Sequence, residues 1–116
     1  MPREGLPRRC RLTGATLFRA LYRDGRRVTG RHLDLRYRAN GRAASRGGVT
    51  VRRLPGLTSV ARHRLMRLGR EAFRRQRAEL APGWDLLLVM TSSGPLSYAE
   101  VAEELRQLSA QAGVRS

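Results

Sequence analysis

Seven arginines lie within the stretch Ser59–Leu80, and their spacing could support binding of a polyanion. At 100° per residue most of them fall on one side of a helix, opposite small and apolar side chains. A guanidinium group forms paired hydrogen bonds with phosphate, which an ammonium group cannot do. Glu71 is the only acid between the first and the last of these arginines, so the face repels itself without a polyanion. The seven are Arg62, Arg64, Arg67, Arg70, Arg74, Arg75 and Arg77.

The element that must carry these arginines is an amphipathic helix of about 20 residues. Ser59 is the predicted N-cap, and the Pro82-Gly83 pair ends the helix. Arg62 falls near the apolar side, but from the first turn it can reach solvent or a ligand at the helix start, where free N–H groups attract phosphate. The alternative is a solvated surface helix without a partner.

A second candidate for chemistry is the aromatic pair Phe18 and Tyr22, four residues apart on a predicted short helix from Gly14 to Asp24. Thr13 is its predicted N-cap, and Gly25 ends it. The pair is either part of the core or a partly exposed platform on which unpaired bases stack.

Composition points to a single domain with an anionic partner. The 116 residues carry a net charge of +15, and all 24 basic residues are arginine. Residues 1–78 hold 22 arginines against four acids, a charge of +18, whereas residues 79–116 hold two arginines against five acids, a charge of −3. Such a chain is expected to bind nucleic acid or an anionic membrane surface.

The remaining pattern predicts an α+β fold, an α/β sandwich whose small sheet is covered on one face by helices. Residues 1–11 are expected to form a flexible basic arm, residues 12–113 one domain, and residues 114–116 a tail. A Ser97/Glu100 capping box starts the last helix, which should bury Val101, Leu105 and Leu108. The predicted segments are strands at Val28–Arg38, Val49–Arg53 and Trp84–Thr91, a loop at Ala39–Gly48 and a helix from Tyr98 to about Ala112.

The sequence lacks the usual signs of a catalyst. His32 and His63 are far apart, no cysteine cluster accompanies them, and no glycine-rich phosphate loop or acidic cluster for magnesium is present. We therefore expect no metal and no cofactor on the chain itself. Cys10 is the only cysteine, so no intramolecular disulfide forms, and a reducing, cytoplasmic setting is expected.

Three motifs follow one another along residues 9–113. The first motif comprises Arg11, Leu12, Phe18, Tyr22 and Gly25. The second comprises Val51, Arg52, Arg53, Gly56, Val60, Arg62, His63, Arg64, Arg67, Arg70, Glu71, Phe73 and Arg74. The third comprises Trp84, Asp85, Leu86 to Val89, Ser97, Tyr98, Glu100, Leu105 and Leu108. In this order and spacing the motifs resemble the protein subunit of bacterial ribonuclease P, whose Arg-Asn-Arg signature reads Arg62-His63-Arg64 here.

The resemblance implies a protein that assists an RNA enzyme. The RNA subunit would hold the magnesium ions and remove the 5′ leader from precursor tRNA, while the protein alone is not catalytic. The implied fold is αβββαβα, with a mixed four-stranded sheet and a left-handed βαβ crossover, like domain 2 of ribosomal protein S5. The implied contacts to the catalytic RNA are Arg62, His63, Arg64, Arg67, Arg70 and Arg74. The implied leader cleft comprises Phe18, Tyr22, Tyr37, Arg52 and Arg53.

Two other functions remain open at this point. A ribosomal or other structural RNA-binding protein would share the arginine helix but would need no leader cleft. A membrane-surface protein would need large apolar residues on the buried side of that helix, where Ala61, Gly69 and Ala72 are found instead.

Overall fold

A computed structural model of the chain describes residues 14–116. The elements follow the order αβββαβα, which confirms the fold class implied by the resemblance. The predicted arm at residues 1–11 and the predicted Thr13 cap lie outside the described residues. The elements are α1 (Ala15–Asp24), β1 (Arg26–Thr29), β2 (Leu33–Ala39), β3 (Arg46–Val51), α2 (Ser59–Gln76), β4 (Trp84–Met90) and α3 (Tyr98–Ala112).

The four strands form one mixed sheet in the order β1-β2-β4-β3. β2 pairs antiparallel with both β1 and β4, whereas β3 pairs parallel with β4. The parallel pair requires a crossover connection, and α2 supplies it. The hand of this crossover remains a prediction.

The central strand β4 has apolar side chains on both faces, as its continuous apolar run predicts. Leu86, Leu88 and Met90 join the larger core cluster with α2 and α3. Leu87 and Val89 meet Leu21 of α1 on the opposite face. The expectation that helices cover only one face was therefore wrong, because the α1 residues at helical spacing supply a second, smaller core.

Several predicted boundaries were also wrong. Gly30 lies in a turn that splits the expected strand Val28–Arg38 into β1 and β2, and its N–H donates to the Leu33 carbonyl over 2.9 Å. The expected loop Ala39–Gly48 is shorter, because pairing with β4 starts at Arg46. α2 is capped by the Thr58 hydroxyl, which accepts from the Ala61 N–H, and Ser59 is its first residue.

The start of α3 agrees with the prediction, whereas the residues after it do not. The Ser97/Glu100 capping box is present, and Val101, Leu105 and Leu108 are buried as predicted. The three residues expected to form a tail instead belong to the fold. Val114 is fully buried, and Arg115 forms a β-bridge with Leu80, because this segment covers the end of the α2–α3 core.

Two glycines allow α2 to approach β3 closely. A Cβ at Gly47 would lie 2.3 Å from a ring carbon of Phe73, and a Cβ at Gly69 would lie 2.8 Å from a methyl carbon of Val49. Neither distance is compatible with ordinary packing. The helix that carries the arginines is therefore held against the sheet at a fixed distance.

Candidate nucleic-acid interface

The outward side of α2 presents a continuous cationic surface, here called the α2 stripe and defined as His63, Arg67 and Arg70. All three residues are exposed, and with Val60 and Met66 they line a shallow concavity. Spacings of three and four residues place them on one side of the helix. Within residues 14–116, Arg67 and Arg70 form no ion pair or hydrogen bond with another side chain. Their guanidinium groups are therefore available to an external anion.

Two other predicted RNA contacts on α2 are tied to the protein's own backbone. One terminal nitrogen of Arg62 donates to the Val51 carbonyl over 3.1 Å, and one of Arg64 donates to the Leu96 carbonyl over 2.5 Å. These bonds attach the first turns of α2 to the end of β3 and to the loop before α3. Both residues remain exposed, so each can still use its other nitrogens.

The end of α2 is partly neutralised by its own acid. Glu71 accepts hydrogen bonds from Arg74 (3.0 and 2.7 Å) and from Arg75 (2.8 Å). The hydrogen bond from Arg74, opposed by burial and supported by Arg75, lowers the pKa of Glu71 to about 2. Arg74, a predicted RNA contact, therefore carries a compensated charge, unlike Arg67 and Arg70.

The opposite face of the sheet carries the aromatic pair. Tyr22 is 42% exposed, whereas Phe18 is half-buried against the small core of Leu21, Leu87 and Val89. Each of the two interpretations, core residue or exposed stacking platform, therefore applies to one member of the pair. Phe18 belongs mostly to the core, and Tyr22 offers a ring to solvent.

Arg36 of β2 is a member of this surface that sequence reasoning did not identify. Its guanidinium carbon lies 4.3 Å from the centre of the Tyr22 ring, and one terminal nitrogen donates to the Tyr22 carbonyl over 3.0 Å. Its Nε is buried and has no hydrogen-bond partner within residues 14–116. A cation over a ring fixes the plane of that ring, so Arg36 orients Tyr22.

Tyr37 does not join this surface, which contradicts its assignment to the leader cleft. Its side chain is 9% exposed and packs in the larger core, with its ring centre 5.9 Å from that of Trp84 in an edge-to-face arrangement. Side chains alternate along a strand, so Tyr37 faces α2 and α3 whereas Arg36 faces α1. The strand alternation contained this signal, but using it required knowing which face α1 covers.

Arg52, an implied leader contact, lies on the α1 side of the sheet, and Arg53 is exposed. Contact of either residue with the leader stays a prediction. Arg52 pairs with the buried Asp34 at 3.5 Å across β4. The surface formed by Phe18, Tyr22, Arg36 and Arg52 is called the α1-side surface below.

A buried ion pair closes one end of this face. Asp85 is 1% exposed and accepts hydrogen bonds from Arg46 at 2.8 and 2.7 Å and from Asn40 at 3.0 Å. Burial would raise the pKa of Asp85, but the hydrogen bonds from Arg46 and Asn40 outweigh burial and lower it. Arg46 therefore serves the fold, and its charge is compensated.

Two further features bear on function. Among residues 14–116 no three histidine, cysteine or acidic side chains come close enough to hold a metal ion. No helix in the described part of the chain is both long and apolar enough to cross a membrane.

The sequence matches known proteins along nearly its whole length. A protein-family model described as Ribonuclease P matches residues 6–113. The ribonuclease P protein component of Synechocystis sp. is 33% identical over 114 residues, covering 95% of this chain and 90% of the relative. That of Azotobacter vinelandii is 36% identical over 83 residues, covering 71% of this chain and 63% of the relative.

Solved structures show the same fold. The RNase P protein of Staphylococcus aureus superposes with a TM-score of 0.78 at 19% identity, covering 92% of this chain and 98% of its own. The RNase P protein of Thermotoga maritima superposes with a TM-score of 0.72 at 26% identity, covering 94% of this chain and 97% of its own. The first likeness concerns the fold alone.

Proposed function

This chain belongs to the ribonuclease P protein component family, and we propose that it binds the catalytic RNA through α2 and the precursor tRNA leader through the α1-side surface. Family membership makes it the protein subunit of an RNA-based endoribonuclease that acts in tRNA processing, and it implies an RNA partner. The proposal concerns which RNA each surface contacts.

The observation that carries the proposal is the placement of two different arginine surfaces on opposite faces of one sheet. The α2 stripe is a rigid row with free guanidinium groups, which suits the phosphates and grooves of a folded RNA. The α1-side surface combines an oriented, exposed tyrosine with arginines, which suits an unpaired strand whose bases stack on rings. One small domain can thus contact a folded RNA and a single strand together.

In this proposal Arg62, His63, Arg64, Arg67, Arg70 and Arg74 face the catalytic RNA. Phe18, Tyr22, Arg52 and Arg53 face the leader, with Arg36 added in place of Tyr37. The RNA would hold the magnesium ions that cleavage requires, as the family resemblance implies. The chain contributes binding and orientation, and it would do so in the cytoplasm.

The test is reconstitution with the catalytic RNA of the same organism. Addition of the protein should raise the rate of precursor tRNA cleavage at low magnesium concentration, because bound arginines replace part of the counterions that the RNA otherwise needs. The holoenzyme should also bind precursor tRNA more tightly than mature tRNA. No increase in cleavage would favour a structural RNA-binding protein instead.

A further inference from the structure

The concavity on α2 has an apolar component that phosphate binding does not require. Val60 is 78% exposed, and Met66 lies half-buried beside it. His63, Arg67 and Arg70 complete the lining. Packing of a partner on this valine would remove its apolar surface from water. The site therefore offers three kinds of contact within one concavity: aliphatic surface, an imidazole ring and two guanidinium groups.

The other α2 arginines are fixed in ways that keep this concavity open. Arg62 and Arg64 are drawn toward backbone carbonyls on the two flanks, at Val51 and Leu96. Arg74 and Arg75 are gathered around Glu71, one turn beyond the concavity. The protein's own cations and its acid on α2 thus leave the space over Val60 and His63 unfilled.

We propose that this concavity is a nucleotide site in which an unpaired base of the RNA partner packs on Val60, Met66 and the His63 ring. Arg67 and Arg70 hold the adjoining phosphates. The concavity spans about ten residues, or about 15 Å along the helix axis, which is enough for a base with its neighbouring phosphates. The inference rests on the proposed function, because it assumes that α2 faces RNA, and it adds a base contact to a surface otherwise assigned to phosphates.

His63 supplies the ring of the proposed site. The family signature that the sequence resembles has asparagine here, which offers an amide plane but no aromatic ring. An imidazole stacks on a base as other flat rings do. His63 is thus a base-stacking residue.

The two histidines of the chain make the test site-specific. His63 lies in the concavity, and His32 lies between β1 and β2 beside Glu100, 4.0 Å from it, so it serves as an internal control. Imidazole proton resonances of the full-length protein would be followed by NMR during titration with pentaadenylate, and separately with inorganic polyphosphate. The His63→Asn variant assigns the resonance.

Pentaadenylate should shift the His63 resonance upfield through the ring current of a stacked base, and polyphosphate should not. His32 should stay unchanged with both probes. Equal His63 shifts with both probes would overturn the base site while leaving α2 as a phosphate-binding face. No shift with either probe would overturn the site and would also count against RNA binding by α2, which cleavage assays of the holoenzyme test separately.

A pair of variants supplies a second, independent measurement. Val60→Ala should weaken pentaadenylate binding by about fivefold and Val60→Ile should leave it within about twofold, because only the first removes surface from the base. Polyphosphate binding should not distinguish the two. Val60 is exposed on the helix, so neither variant should affect folding. Equal pentaadenylate affinities for the two variants would overturn the proposal.

Discussion

The α2 stripe and the α1-side surface are both rich in arginine, but they differ in how the charge is compensated. On α2, Arg67 and Arg70 have no ion-pair partner within residues 14–116, whereas on the α1 side Arg52 pairs with Asp34 and Arg36 packs over Tyr22. Free charge attracts phosphates of any sequence. Charge that is already engaged orients rings and contributes less to long-range attraction. The difference predicts distinct responses to mutation on the two faces.

The largest effect should come from the buried pair that closes the α1 face. Asp85→Ala leaves the half-buried Arg46 without its carboxylate, so the free energy of unfolding should fall by about 3–5 kcal/mol. Chemical denaturation followed by circular dichroism measures this change. Asp24→Ala is the matched control, because the Arg23–Asp24 pair is exposed and should hardly affect the midpoint. If the denaturation midpoint changes equally little in both variants, the buried Arg46–Asp85 pair does not stabilise the fold more than an exposed pair does.

The next effect concerns leader recognition by the exposed ring. Tyr22→Ala should weaken binding of precursor tRNA by roughly 1–3 kcal/mol, the contribution of a stacked base, and leave mature tRNA binding unchanged. The ratio of the two dissociation constants in the holoenzyme is the measurement.

Tyr98→Ala is the control for Tyr22, since Tyr98 also lies under an arginine, Arg75, with 5.1 Å between guanidinium carbon and ring centre. Tyr98 sits at the start of α3, away from the α1 side. If Tyr98→Ala weakens the binding of precursor tRNA relative to mature tRNA as much as Tyr22→Ala does, the distinction between the two faces is lost.

A smaller effect, the salt dependence of RNA affinity, distinguishes the α2 stripe from the α1 side. Arg67→Ala and Arg70→Ala should each lower the slope of log affinity against log salt concentration by roughly 0.7–0.9 for the catalytic RNA. Arg23→Ala, on the α1 side and paired with Asp24, should change the slope less. Unchanged slopes in both α2 variants would place that face away from the phosphates.

The smallest effect is a pH dependence of stability at the end of α2. Glu71 has a pKa of about 2 in the folded protein against an ordinary value of 4.5. Its contribution is therefore present above about pH 4.5 and is lost as the pH falls toward 2. Because the group is partly exposed, Glu71→Gln should lower the free energy of unfolding by less than about 1 kcal/mol at pH 7. Denaturation at a series of pH values should show the difference vanish near pH 2, and a difference that persists there would refute the ion pair.

Local patterns predicted much of this structure. The 3.6-residue period of α2, the capping box of α3 and the apolar run of β4 each specify their element through nearest neighbours. The two-sided cover of the sheet was missed, because it depends on where α1 packs, and α1 packs on β4, which is distant in sequence. For the same reason Tyr37 was assigned to the wrong face and Arg36 was overlooked.

The arginine surface of α2 was predictable, but the partners of its members were not. Seven arginines at helical spacing predict a cationic face whatever the fold. Which of them bind backbone carbonyls depends on the tertiary positions of Val51 and Leu96, which the period of one helix does not contain. The free pair Arg67 and Arg70 emerges only after those contacts are known.

The close approach at Gly47 and Gly69 has a consequence for how this protein can evolve. The contacts that set the height of α2 above β3 lie on its inner side, and the residues that meet the solvent are on its outer side. Outer positions such as His63 can therefore be exchanged without moving the platform beneath them. Substitutions on the outer side of α2 could therefore change the affinity for an RNA partner whose sequence changes, while Gly47 and Gly69 are retained.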